Sequence, residues 1–185
     1  MDSPGRYTAT AIGLHWVVAV LILGGAGLGM VTADLPFSPR QLQWISYHKW
    51  IGVTVFLLAV VRLLWRLQHP VPALPAAMPA WQQHFAQATH LLFYVLMLLI
   101  PVIGWMQSSA LGVPVVYFGV VPLPDLLNKN KELAELLRIV HRNFGYGLLA
   151  LIAVHTGAAL KHHVTDRDDV LVRMLPPLKT RPKAR

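Results

Sequence analysis

The run His141-Arg-Asn-Phe-Gly145-Tyr-Gly-Leu-Leu-Ala150-Leu-Ile-Ala-Val-His155 decides how the chain is read. No charged residue interrupts it between Arg142 and Lys161, and a histidine closes each end. At about 100° per residue, fourteen positions return to within about 40° of whole turns, so both rings leave one face, about 21 Å apart along the axis. An apolar helix of this length reads as a membrane span, and an ionisable group inside such a span is costly enough to mark function.

Working outward, this span runs from about 139 to 163, and three more precede it. From Tyr7 to Ala33 no Asp, Glu, Lys or Arg occurs, which predicts a first span at about 10–32. It is too long for a signal-peptide core and lacks an A-x-A-like site, so it is not expected to be removed. A second, about 44–66, holds Lys49 near its start and Arg62 and Arg66 near its end, where long basic side chains snorkel to the interface. A third begins near Trp81 and spans about 84–108, with Pro101 predicting a kink near Ile100. Pro70, Pro72, Pro75 and Pro79 make the segment before it a loop. Residues 111–137 read as an extramembrane connection with one short amphipathic helix, and residues 166–185 as a basic cytoplasmic tail, poorly ordered at its end. The expected fold is an all-α membrane protein, four transmembrane helices in an up-and-down bundle, forming one domain over 1–185 with no internal repeat.

Composition agrees. Of 185 residues, 55% are hydrophobic and 13% charged, about half the charge of a soluble domain, so membrane lipid is the expected surroundings. The absence of Cys excludes disulfides, thiolate zinc, iron–sulfur clusters and thioether-attached haem. The net charge of +8 points to membrane-flanking loops, with no nucleic-acid partner. Of the 16 basic residues, ten (Arg6, Arg62, Arg66, Lys161, Arg167, Arg173, Lys179, Arg181, Lys183, Arg185) fall on the side of the termini and six on the other. The positive-inside rule then puts both termini of a multi-pass protein in the cytoplasm.

Nine histidines outnumber the eight acids. With that topology His15 matches His155 in depth toward the cytoplasm, and His48 matches His141 toward the outside. Facing imidazoles across a bundle form the axial ligand set of a b-type haem, whose iron needs no cysteine. One turn after these histidines stand Ala19, Gly52, Gly145 and Ala159, small enough to leave room for a flat ring. Tyr94, four after His90, would crowd one. Each histidine taken singly reads as readily as a hydrogen-bonded interior residue, and imidazole also suits zinc or copper. Histidines fourteen apart cannot share one such ion, however, and two histidines alone leave its shell incomplete. His69, His84 and His163 lie near interfaces and are left without a role, as is His90.

Gly13-Leu14-His15-Trp16, Tyr47-His48, Val61-Arg62-Leu63-Leu64-Trp65-Arg66, His90-Leu-Leu-Phe-Tyr94, Pro101-Val102-Ile103-Gly104, and His141 through His155 to His162-His163 together resemble the prokaryotic cytochrome b561 family over about residues 7–176. The resemblance implies a four-helix bacterial inner-membrane protein with two haem b groups, whose iron ligands fall on His15, His48, His141 and His155, the set reached from spacing. It further implies electron transfer between a donor at the outer face and the quinone pool. One member resembles a superoxide oxidase that reduces ubiquinone. A quinone site would then lie at the cytoplasmic end, where His162 follows His155 by seven residues and Arg62, Arg66 or Lys161 could bond a quinone oxygen. Lys49, Arg142, Arg40 and Arg138 could meet haem propionates or steer an anionic donor on the other side. The competing reading is a membrane-anchor relay subunit with no substrate of its own, and a histidine-lined transporter ranks last because the span centres hold few polar groups.

Overall fold

The computed structural model describes residues 6–69, 71–75 and 78–176. Four helices account for most of them: α1 (Ala9–Asp34), α2 (Pro39–Gln68), α3 (Ala80–Leu111) and α4 (Lys131–Lys161), each long and apolar enough to cross a membrane. Side chains fix three of the starts. Thr8 Oγ1 accepts from the Ala11 N–H, Ser38 Oγ from Gln41 and Asn130 Oδ1 from Leu133. Each such cap contributes about 1 kcal/mol. Gly112, at φ 71°, ends α3 in the left-handed conformation that costs glycine nothing.

The helices pack in chain order, α1 on α2, α2 on α3 and α3 on α4, as an up-and-down bundle. Val18, Ala59 and Met97 are buried at its centre, one from each of the first three helices, with Ile22, Leu58, Phe93, Tyr94 and Leu98 against them. In lipid this close packing holds helices together, because acyl chains are as apolar as leucine. The fourth helix contributes little to that core: among the described residues its closest backbone approaches are to α3 and to the turn that follows it. It faces α1 and α2 through side chains.

Both ends of the described chain meet at one end of the bundle, here the terminal end. Arg6 donates to the Leu175 carbonyl at 2.6 Å, the Trp16 indole to Met174 at 2.9 Å, and Arg173 to Ala73 at 2.6 Å. The tail is therefore folded back as far as residue 176, while Lys179, Arg181, Lys183 and Arg185 lie outside the described residues.

Pro101 lies inside α3, as the sequence reading has it. Two details differ from the sequence expectations. The amphipathic helix expected within 111–137 is the opening of α4 itself, which begins at Lys131 where Asn130 caps it. The connection between α3 and α4 carries a two-stranded antiparallel hairpin, β1 (Val116–Tyr117) and β2 (Val121–Pro122). Its turn places Phe118 and Gly119 at φ 51° and 73°. The left-handed conformation costs a side chain such as that of Phe118 roughly 1–2 kcal/mol, and Gly119 avoids the penalty.

Candidate functional site

Five histidines meet between the helices, at two levels. At the far end, away from the termini, the His48 and His141 rings stand 5.9 Å apart between centroids at 81°. At the terminal end, His15 and His155 are 6.4 Å apart at 63°. Two imidazoles bonded to one metal from opposite sides at about 2 Å have centroids roughly 6 Å apart, so both pairs have the spacing of a shared ion.

The far-end pair is held by backbone. Nδ1 of His48 donates to the Gly25 carbonyl at 2.8 Å, and Nδ1 of His141 to the Ile100 carbonyl at 3.0 Å. A carbonyl only accepts, so each ring keeps its hydrogen on Nδ1 and leaves the Nε2 lone pair free, the state a metal ligand needs. Two glycines seat these rings. A Cβ at Gly29 would stand 3.0 Å from His48 Cε1, and one at Gly104 would stand 2.9 Å from His141 Cε1. Conversely, a Cβ at Gly52 or Gly145, one turn beyond each histidine, would meet nothing within 4 Å, so both helix surfaces stay open there.

The terminal-end pair is built differently. Arg62 Nη2 donates to Nδ1 of His15 at 3.1 Å, which leaves the His15 hydrogen on Nε2. A metal at that Nε2 would need the hydrogen on Nδ1 instead and Arg62 bonded elsewhere. His155 has two further ring neighbours, His90 at 5.7 Å and Phe93 at 5.2 Å. His90 is the residue that sequence reasoning passed over: Tyr94, expected to crowd a ring beside it, instead turns toward Arg62 and Arg66, whose guanidinium groups lie 5.8 and 5.7 Å from its centroid.

Arg62, Arg66, His90 and Tyr94 line one pocket at the terminal end, together with Tyr7 and Trp65. Burial raises the Tyr7 phenol above its ordinary value against the opposing pull of Arg66 and Arg62, so at neutral pH it keeps its proton and can donate. His162, expected beside these arginines, is not among the pocket's lining residues. Its Nδ1 donates to Asp168 Oδ2 at 2.6 Å, with Asp166 Oδ2 at 3.2 Å, and Lys161 holds Asp166 from the other side. His69 and His84 bond back to carbonyls of their own helices, Trp65 and Ala80.

A sequence model of the family described as "Prokaryotic cytochrome b561" matches residues 6–177. The chain belongs to the prokaryotic cytochrome b561 family. Among curated relatives, it is 32% identical to cytochrome b561 homolog 2 of Escherichia coli K12, covering 94% of this chain and 93% of the relative. Cytochrome b561 homolog 1 of the same organism is 29% identical over 92% of this chain and 97% of its own length. A Yersinia pestis protein named probable superoxide oxidase CybB is 28% identical, covering 92% and 96%. Membership in the b561 family makes this multi-pass membrane protein a haem-binding electron-transfer protein. The far-end histidines fit such a group in spacing, tautomer and helix clearance, and the terminal-end pair in spacing.

Proposed function

We propose that this b561 protein carries electrons across the bacterial inner membrane through two haem b groups, held by His48 with His141 and by His15 with His155. The observation that carries this reading is the pair of facing imidazole pairs, at opposite ends of one helix segment and both near 6 Å. Their separation of about 21 Å along α4 divides the bilayer into steps short enough for electron transfer. The excess of basic residues beside the termini puts the terminal end in the cytoplasm and the far end outside. A bis-imidazole haem iron takes up and releases one electron at a time. The protein's part is to fix the rings: the Gly25 and Ile100 carbonyls hold the outer pair, and Arg62 adjoins the inner one.

The name of the Yersinia relative supports superoxide as the donor at the outer face, and ubiquinone is the acceptor that the family resemblance implies. Two superoxide ions would each lose an electron to become oxygen, and ubiquinone would take both electrons with two cytoplasmic protons. The pocket of Arg62, Arg66 and Tyr7 offers donors for a quinone oxygen, two of them charged. His162, bonded to Asp168, lies at the same end.

Purified protein should be red, with a b-type difference spectrum and about two haems per chain. Colourless protein overturns the reading. Mixing with superoxide and ubiquinone should reduce haem and quinone faster than superoxide dismutes by itself; no acceleration leaves a relay subunit for another redox protein. Arg66→Ala should raise the ubiquinone concentration for half-maximal rate about 10-fold, the weight of one charged hydrogen bond, and leave the spectrum unchanged. An unchanged concentration dependence would move the quinone out of this pocket.

A further inference from the structure

We propose, on the reading that quinone occupies the terminal-end pocket, that the segment Asp169–Leu175 is its closing wall: Met174 packs on the quinone ring, and Arg173 is the positioning residue that holds it there. Among the described residues, the rest of the lining comes from α1, α2 and α3 and from residues beside their ends; Met174 arrives from beyond α4. It ends a short 3₁₀ turn, Val172–Met174. A quinone ring is flat, with its polar oxygens at the rim. Arg62, Arg66 and Tyr7 offer donors to that rim. The ring face needs apolar, polarizable contact instead, which a methionine thioether gives with little demand on shape.

The segment is held by polar side chains and not by burial, for no residue from Arg167 to Pro176 is buried. Arg6 donates to the carbonyls of Val172 and Leu175, and the Trp16 indole to that of Met174. Arg173 reaches the other way. Its guanidinium donates to the Ala73 carbonyl at 2.6 Å and pairs with Asp169 at 2.8 Å. Val71, two residues before Ala73, lines the same pocket. Arg173 thus fastens together the two pieces that close the pocket outside the helices, the loop after α2 and the segment after α4. Its Nε–H is buried with no acceptor among the described residues. An unmet buried donor is a cost, borne here by a side chain whose other bonds all fix this wall. A wall fastened by a few hydrogen bonds can lift and reseat, which suits a pocket that admits a lipid-soluble substrate and then excludes water.

Holoprotein reduced with stoichiometric dithionite and mixed with ubiquinone reads this half of the reaction alone: two electrons leave the haems and, with two protons, make ubiquinol. Arg173→Ala should raise the ubiquinone concentration for half-maximal haem oxidation about 10-fold, the weight of one charged hydrogen bond, with the maximal rate and the haem spectrum unchanged. Met174→Ala should raise it roughly 5-fold, and Met174→Leu should keep it near the parent value. Because the arginine acts through the methionine, Arg173→Ala with Met174→Ala should be no worse than Arg173→Ala alone. Single effects that multiply would make Arg173 a separate quinone contact and overturn the proposal. Arg6→Ala, which frees the same segment from its other anchor, should act in the same direction and serves if Arg173→Ala does not fold. The chain has no cysteine, so Met174→Cys reports the wall directly. Adding Arg173→Ala should speed its labelling by a water-soluble maleimide on the order of 10-fold, and equal rates would overturn the clamp. Unchanged ubiquinone dependence in the Arg173 and Arg6 variants, with Arg66→Ala altered, would overturn the wall and leave quinone in the pocket. If Arg66→Ala is unchanged as well, quinone lies elsewhere and the proposal falls with that reading.

Discussion

His141→Ala is expected to remove the far-end haem and spare the other, so the b-type absorbance per chain should fall by about half, with one step left in a redox titration. The ring lost is the one whose Nδ1 is fixed on the Ile100 carbonyl and whose centroid stands 5.9 Å from that of His48. No other histidine ring lies beside this pair, and the nearest substitute, His90, sits at the other level. Sites about 21 Å apart respond independently, so the terminal-end pair should keep its spectrum. His48→Ala should give the same result from the opposite side. Loss of neither haem in either variant would overturn the pairing, and loss of both with helicity retained would mean that the sites fill cooperatively.

Gly104→Val is expected to weaken the same site without touching a ligand. A Cβ there already stands 2.9 Å from His141 Cε1, and valine adds two methyl groups in that direction. The ring cannot swing aside freely, because Ile100, one turn earlier on the same helix, holds its Nδ1 at 3.0 Å. Disturbing the residues that orient a metal ligand costs roughly 10–100-fold in affinity, so haem titration should find a weakened far-end site beside an unchanged second site. Gly29→Ala, with 3.0 Å to His48 Cε1, should act in the same direction and more weakly. Normal occupancy in Gly104→Val would mean that the ring has more room than its contacts indicate.

The spans and the facing of His15 with His155 and His48 with His141 were legible in the sequence because a helix has one period, and fourteen residues leave little freedom in where two rings point. Depth along a span is set in the same way. What was not legible depends on contacts between distant segments. The hairpin has the β-branched run and the glycine of a turn, but Val115 to Val121 is too short for periodicity to separate strand from loop. His90 was set aside by a steric argument about Tyr94 that failed because the tyrosine turns toward two arginines. The pairing of His162 with Asp168 needed the π-helical turn and the reversal at Arg167, φ 54°, which bring the chain back on itself. Gly29 and Gly104 stood among many glycines, with nothing in their own sequence to mark them as ring seats.

The chain-order packing of the helices has a consequence for assembly. Four helices whose last member packs chiefly on its predecessor have a looser side, where α4 faces α1 and α2 through His155 and His141. A haem held there would bridge α4 to α1 and to α2, the helices on which α4 packs least. Once ligated, it would tie these helices together, so resistance to heat and to proteases would rise with the cofactor supply by mass action, by about 2.7 kcal/mol at a hundredfold excess over the dissociation constant.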